Sequence, residues 1–129
     1  MDVEKRNEMI DTYYQALRDS SFDEVRDAFA DSIEFSSFMV PDGLEGKEEV
    51  MEYFEGTGTS IRPVKDPNVD LYRRTHTEEA SFVEGHFALE SLDEDALGEG
   101  DAEGDFVGVF EFDDEEEQVL KYAVYYQRY

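Results

Sequence analysis

The spacing of the apolar residues changes once along this chain, and that change constrains the fold more than any other feature. Near the start, Ile10, Tyr13, Tyr14 and Leu17 recur at the i, i+3, i+4 and i+7 spacing of one helix face. In the second half, apolar residues alternate with polar ones, which is typical of strands half-buried in a sheet. This order predicts early helices that pack against a sheet made of later strands.

Three helices are predicted from local signals. The first is expected over residues 3–18. Ser21-Phe22-Asp23-Glu24 has the pattern of a capping box, which predicts a second helix to about Ala30. A third is expected from Glu48 to Glu55, with Gly56 and Gly58 as its stop.

The remaining segments read as strands and turns. Strands are expected at residues 32–39, 69–76, 80–92, 105–113 and 118–128. The connections are Pro41-Asp42-Gly43, an irregular crossing marked by Pro63 and Pro67, Thr77-Glu78-Glu79, Asp93 to Gly104, and Asp113 to Glu117.

Consecutive late strands without an intervening helix predict an antiparallel meander and argue against a parallel nucleotide-binding sheet. We therefore expect one α+β domain over residues 1–129: a cone in which a strongly curved antiparallel sheet wraps around the N-terminal helices. Gly85 and Gly108 lie inside strands, where glycine often marks a bend. Such a cone is open at one end and suits a small-molecule pocket.

The charge of the chain restricts its partners and its setting. Its formal net charge is -24, with 35 Asp and Glu against 11 Lys and Arg. This field repels phosphate backbones and anionic lipid, so neither nucleic acid nor a membrane is an expected partner. At molar salt the Debye length falls to about 3 Å and the self-repulsion is screened. Because the chain is also 40% hydrophobic, we expect it to fold. Acids in every segment and only four lysines favour a protein from a halophile over the alternative, an acidic protein from a mesophile.

Several other functions have no signal in the sequence. No apolar run is long enough for a membrane span, and no signal peptide is seen, so a cytoplasmic location is expected. Cysteine is absent, and the two histidines lie ten residues apart without a third ligand, so neither a metal nor another cofactor is predicted. The loop from Asp93 begins like a calcium loop, but Leu97 and Gly104 occupy ligand positions, so a solvated loop is favoured.

Two strand residues and one helix residue are candidates for acid–base catalysis. Glu84 and His86 lie two residues apart, on one face of a predicted strand. A glutamate there can orient the imidazole and raise its pKa, which makes the pair a candidate base. Tyr13 is a candidate hydrogen-bond donor to a ligand oxygen, or else a core residue. If their strand face is turned to water or to a second copy, Glu84 and His86 are surface or dimer-interface residues instead.

A wider set of residues is expected to line the cavity and bind a ligand. Its members are Tyr13, Phe35, Ser37, Phe54, Arg73, Gly108 and Tyr125. Because strand neighbours take opposite faces, either Arg73 or Arg74 is expected to point inward, to bind a ligand carboxylate or to pair with an acid such as Glu84. The tyrosines of the last strand either cover the pocket or line a dimer interface: Tyr122, Tyr125, Tyr126 and Tyr129.

The chain resembles the nuclear transport factor 2-like (NTF2-like) superfamily, in particular its SnoaL-like branch, from about Lys5 to Tyr126. The segments that carry the resemblance are Tyr13 to Leu17, Phe22 to Val25, Phe29 to Phe35, Gly46 to Val50, Gly108 to Asp113 and Val119 to Tyr126. The resemblance implies the cystatin-like α+β cone fold and a homodimer. It does not choose among the superfamily's many activities, which include ketosteroid isomerases, polyketide cyclases, epoxide hydrolases and non-enzymatic binding domains.

Carried over residue by residue, the isomerase pattern is incomplete in this chain. The oxyanion tyrosine on the first helix is similar to Tyr13, but the catalytic aspartate falls at Ser37 and the second oxyanion donor at Gly108. The resemblance therefore does not extend to the isomerase reaction.

Three functions stay open on the sequence. We expect a SnoaL-like homodimer with a mainly apolar cavity that binds a small organic molecule. The alternatives are an enzyme with cyclase-, isomerase- or hydrolase-like acid–base chemistry and a non-catalytic dimerisation domain whose cavity is filled by its own side chains. Whether the chain is an enzyme is not decided.

Overall fold

A computed structural model of the chain describes residues 2–19, 21–37, 40–63, 69–91 and 100–128. These residues form three helices and a seven-stranded sheet. The helices are α1 Val3–Asp19, α2 Asp23–Ala28 and α3 Lys47–Ser60. The strands are β1 Phe29–Ser37, β2 Val40–Glu45, β3 Ile61–Pro63, β4 Val69–His76, β5 Ala80–Ser91, β6 Gly100–Asp113 and β7 Gln118–Arg128. The α+β class and the early position of the helices are confirmed.

The sheet is mixed. Its strands follow the order β2-β1-β7-β6-β5-β3, and β4 also pairs with β5. The late strands form the predicted antiparallel meander, with β5 against β6 and β6 against β7. One pair of strands departs from the predicted antiparallel arrangement, because β1 pairs with β7 in parallel. A parallel pair needs a long crossover, which the intervening chain from β2 to β6 provides.

The helices cover one side of the sheet, and we call this side the inner face. The apolar stripe of α1 is buried there, as the sequence predicts, with Ile10 and Tyr14 fully enclosed. On the strands the inner face carries Val83 and Phe87 of β5, Phe106 and Phe110 of β6, and Tyr122 of β7, all of them buried. The alternate residues of the same strands form the opposite side, which we call the outer face.

Several predicted boundaries between elements are wrong for local reasons. The Ser21 capping box is not formed: α2 begins after Phe22 without a side-chain cap, and the Ser21 N–H closes α1 on the Ala16 carbonyl. Pro41-Asp42-Gly43 is part of β2 instead of a turn. The pairing of β1 with β2 is irregular opposite these three residues. Gly43 adopts a φ of 80°, a conformation that favours glycine.

The third helix is longer than its glycines suggest. It continues past Gly56 and Gly58 to Ser60, because glycine weakens a helix without ending it and the buried Val50 and Phe54 hold α3 against the sheet. Strand β3 follows it directly at the edge of the sheet, where Pro63 is tolerated. Pro67, the loop at residues 92–99 and Tyr129 lie outside the described residues.

A buried arginine joins α1 to the turn between β4 and β5, and the sequence reasoning did not single it out. Arg6 is 5% exposed. Its guanidinium donates to the Thr77, Glu78 and Ala80 carbonyls and to Ser81 Oγ, and lies 5.4 Å from the centre of the Phe112 ring. These contacts fix the first helix against the sheet.

No helix in the described part of the chain is both long and apolar enough to cross a membrane.

Candidate functional site

Three of the predicted cavity residues meet between the helices and the inner face. Tyr13 of α1, Phe35 of β1 and Phe54 of α3 are each 4% exposed. The ring of Phe54 lies 4.9 Å from that of Phe35 and 5.7 Å from that of Tyr13, centre to centre. Tyr122 of β7 completes the group, with its ring 4.7 Å from that of Tyr13. The period of the apolar residues brings these rings together, and they pack against one another in edge and tilted contacts.

Three phenol groups are buried inside this aromatic cluster. The Tyr14 and Tyr122 hydroxyl oxygens are 3.2 Å apart, and the ring of Tyr13 lies beside that of Tyr122. Burial raises the pKa of Tyr13, Tyr14 and Tyr122 well above the usual value for tyrosine. The phenols therefore stay protonated at neutral pH, and they can donate or accept hydrogen bonds but cannot serve as bases.

Gly108 makes room for this hydroxyl network. A Cβ atom at this position would overlap the Tyr14 hydroxyl and lie 3.1 Å from the Tyr122 ring. The place that the family resemblance gives to a second oxyanion donor is thus next to the phenol of Tyr14. Ser37, at the position of the isomerase base, is 9% exposed, at the end of β1 and two residues from Phe35.

Sequence reasoning missed Tyr14 and Tyr122 as a hydroxyl pair. Both were visible as residues of a helix stripe and of an alternating strand. Their contact joins residues 108 positions apart, which local spacing cannot predict.

Glu84 and His86 lie on the outer face, where the antiparallel register sets side chains in rows across β5, β6 and β7. We call these the apolar row (Phe82, Val109 and Ala123), the mixed row (Glu84, Val107 and Tyr125) and the polar row (His86, Asp105 and Gln127). The sheet separates Glu84 and His86 from the buried Tyr13. One catalytic site made of these three residues is therefore not formed.

Arg73 and Tyr125 also lie on the outer face, so their predicted place in the cavity lining is wrong. The Arg73 side chain is 71% exposed and Tyr125 is 65% exposed. An irregularity in the pairing of β4 with β5 falls between Leu71 and Arg73 and turns Arg73 outward. Arg74 is then the arginine that faces the helices, where it donates to Asn7 Oδ1 at 2.9 Å.

Glu84 is held in a two-point contact with Arg73. The Arg73 Nε and Nη2 groups donate to the two carboxylate oxygens, the second at 2.9 Å. The hydrogen bond from Arg73 lowers the pKa of Glu84. A carboxylate with a lowered pKa is a weaker base, which removes the main reason for assigning Glu84 this role.

His86 lies between two carboxylates. Its Nε2 atom is 3.0 Å from Glu103 Oε1 and its Nδ1 atom is 3.5 Å from Asp105 Oδ1. Among the residues that the structure describes, no group of three or more His, Cys, Asp or Glu side chains is arranged to hold a metal ion.

An open groove of about 360 Å³ runs across the outer face beside these residues. The mixed and polar rows and β4 line it, and the strand residues between them form its floor. The lining consists of Tyr72, Glu84, Gly85, Asp105, Phe106, Val107, Tyr125, Tyr126 and Gln127.

The fold has clear counterparts among solved structures. An NTF2-like protein from Anabaena variabilis ATCC 29413 superimposes with a TM-score of 0.76 and 17% identity, over 97% of this chain and 88% of that one. A SnoaL-like protein from Shewanella denitrificans OS-217 gives a TM-score of 0.79 at 10% identity, over 98% and 92%. An LEH-like epoxide hydrolase from M. tuberculosis gives 0.75 at 18% identity, over 96% and 84%.

No protein-family model and no curated protein matches the sequence. The chain therefore has the NTF2-like α+β cone fold, and at these identities the similarity extends to the fold alone.

Proposed function

We propose that this chain is a binding domain that takes a small, mainly apolar organic molecule between its helices and the inner face. The observation that carries the proposal is the buried hydroxyl pair of Tyr14 and Tyr122, with the phenol of Tyr13 beside it, within walls of aromatic rings. A mainly apolar lining with a few convergent polar groups is the usual make-up of a small-molecule site. The protonated phenols suit a ligand with a hydrogen-bond acceptor, such as a carbonyl oxygen.

A paired ligand screen at molar salt tests this proposal. Cyclic ketones of one to three rings and the hydrocarbons of the same shape are compared by thermal shift and NMR. Ketones are expected to bind more tightly than their hydrocarbons, and Tyr14→Phe should weaken ketone binding about fivefold through the loss of one hydrogen bond. Tyr125→Phe, which removes an exposed phenol of the outer face, is the matched control. Equal binding of both series, or a screen without any ligand, would contradict the proposal.

The binding role is proposed without acid–base catalysis. Glu84 and His86 point away from the phenol network, and the phenols themselves stay protonated. Ketone, enone and epoxide substrates are offered to the wild type and to His86→Ala and Glu84→Gln at molar salt. Turnover by the wild type that either substitution abolishes would restore the enzymatic alternative.

A second proposed role is association into a homodimer through the apolar row. Phe82 is 36% exposed, and Val109 and Ala123 lie beside it in register. Exposed apolar surface of this kind often marks an interface, and one patch can serve both copies of a symmetric dimer. Light scattering should find a dimer in molar salt and a monomer for Phe82→Asp. Val3→Asp, at an exposed position of α1, is the control and should remain a dimer.

We further propose that the protein works at molar salt, as its net charge of -24 suggests. A halophilic source and a cytoplasmic location remain predictions from the sequence.

A further inference from the structure

The outer face changes character along its strands. The apolar row lies at one end, and the mixed and polar rows replace it with two carboxylates, a tyrosine ring, an imidazole and an amide. The groove of about 360 Å³ lies in these last two rows. This volume is at the lower end of the range for small-molecule sites, so the groove fits a guest of few atoms.

The electrostatic environment of the groove is negative. Glu103 and Asp105 both contact the imidazole of His86, so two carboxylates lie at this end of the outer face. Asp70 lies opposite His86 on the neighbouring strand. Partial desolvation, followed by the charges of Asp105, Asp70 and Glu103, raises the pKa of Tyr72.

Two aromatic rings are exposed at the same groove. Tyr72 is 59% exposed and Tyr125 is 65% exposed, although large rings usually lie inside a protein. The face of such a ring attracts cations. Glu84 of the lining is already paired with the guanidinium of Arg73, so Asp105 is the carboxylate of the lining that a guest would face.

We propose that the groove binds a small organic cation of the alkylammonium class, with its methyl groups against Tyr72 and Tyr125 and its charge facing Asp105. An anion would meet the carboxylates, and a neutral guest would gain nothing from them. The site is on the opposite side of the sheet from the phenol network and does not depend on the function proposed above.

A second copy of the chain fits this groove less well. In a symmetric dimer the same surface faces itself, so the carboxylates of the mixed and polar rows would approach those of the partner copy. The apolar row has no such conflict. A dimer centred on Phe82 therefore leaves the groove beside the interface.

Choline is a suitable probe, and 3,3-dimethyl-1-butanol is its neutral counterpart of the same shape. Both are titrated into isotope-labelled protein at molar potassium chloride and followed by NMR. Choline should bind saturably, with shifts at Tyr72, Val107 and Tyr125, and about tenfold more tightly than the alcohol. Tyr125→Leu should weaken choline binding about fivefold.

A charge-matched pair separates a built site from general attraction to an acidic protein. Asp105→Asn should weaken choline binding several-fold. Glu111→Gln removes the same charge elsewhere on β6, next to Lys121, and should leave binding unchanged. The proposal is overturned if choline and the alcohol bind equally, if both substitutions weaken binding alike, or if no shifts occur at the groove. It is also overturned if choline binds only to the Phe82→Asp variant, because a second copy would then fill the groove.

Discussion

The inner and outer faces of this sheet are made from alternate residues of the same strands and yet have opposite chemistry. On β6, Phe106 and Phe110 are buried against the helices, whereas Asp105 and Val107 line an open groove. The inner cluster holds phenols that stay neutral, and the outer face holds carboxylates paired with Arg73 and His86. A one-residue step therefore decides whether a side chain belongs to a neutral aromatic core or to a charged surface.

The largest expected effect comes from salt, which should act on the charged surface and not on the apolar interior. Lowering potassium chloride from about 2 M to about 0.1 M should reduce the free energy of unfolding by several kcal/mol, because self-repulsion is no longer screened. Urea unfolding at each salt concentration measures it. Sucrose strengthens apolar burial without screening charge, so it should not replace the salt. An equal free energy of unfolding at the two potassium chloride concentrations would mean that repulsion among the acidic side chains does not destabilise the fold.

Two arginines offer the next comparison, one buried and one exposed. Arg6→Ala should lower the free energy of unfolding by about 3 kcal/mol, because three carbonyls and the Ser81 hydroxyl lose a charged donor. Arg73→Ala, which breaks an ion pair on the exposed outer face, should leave the unfolding midpoint almost unchanged. Similar losses for both variants would contradict the role given to Arg6.

The packing of the inner face can be tested at Gly108. Gly108→Ala should cost about 2 kcal/mol, because the added methyl group overlaps the Tyr14 hydroxyl. Adding Tyr14→Phe removes that hydroxyl and should restore more than half of the loss, whereas Tyr125→Phe should restore none. Chemical denaturation of the single and double variants measures the coupling.

A smaller effect is expected from His76, whose Nδ1 atom lies 2.8 Å from Ser81 Oγ. Burial, and then the charges of Arg6 and Arg74, lower its pKa. The unfolded chain then binds the proton more readily, so the stabilisation is present above the ordinary histidine pKa and is lost as the pH falls below it. Stability should decrease more between pH 7 and pH 5 in the wild type than in His76→Gln. An NMR titration that gives His76 an ordinary or raised pKa would contradict this.

Much of the inner face could be predicted from the sequence because it depends on local period. The helix spacing of Tyr13 and the alternation around Phe35 place both rings in the core. Arg73 could not be placed correctly, because an irregular pairing between Leu71 and Arg73 interrupts the alternation that a sequence pattern assumes. Tyr125 lies on the opposite face from Tyr122 and Tyr126, so its grouping with those two tyrosines is wrong.

Long-range contacts account for the remaining differences. The parallel pairing of β1 with β7 and the contact between Tyr14 and Tyr122 join distant parts of the chain. Arg6 contacts residues more than 70 positions away. The charged residues around Arg6 in the sequence therefore do not indicate that its side chain is buried. Such contacts are set by the assembled fold and not by neighbouring residues.

The central claim is that an organic ligand is received on the inner face and that Glu84 and His86 take no part. An NMR map of the tightest-binding ketone at molar salt tests this most directly. We expect its largest shifts at Tyr13, Tyr14 and Tyr122, with Glu84 and His86 unmoved. Shifts confined to the outer face, or centred on Glu84 and His86, would contradict the account.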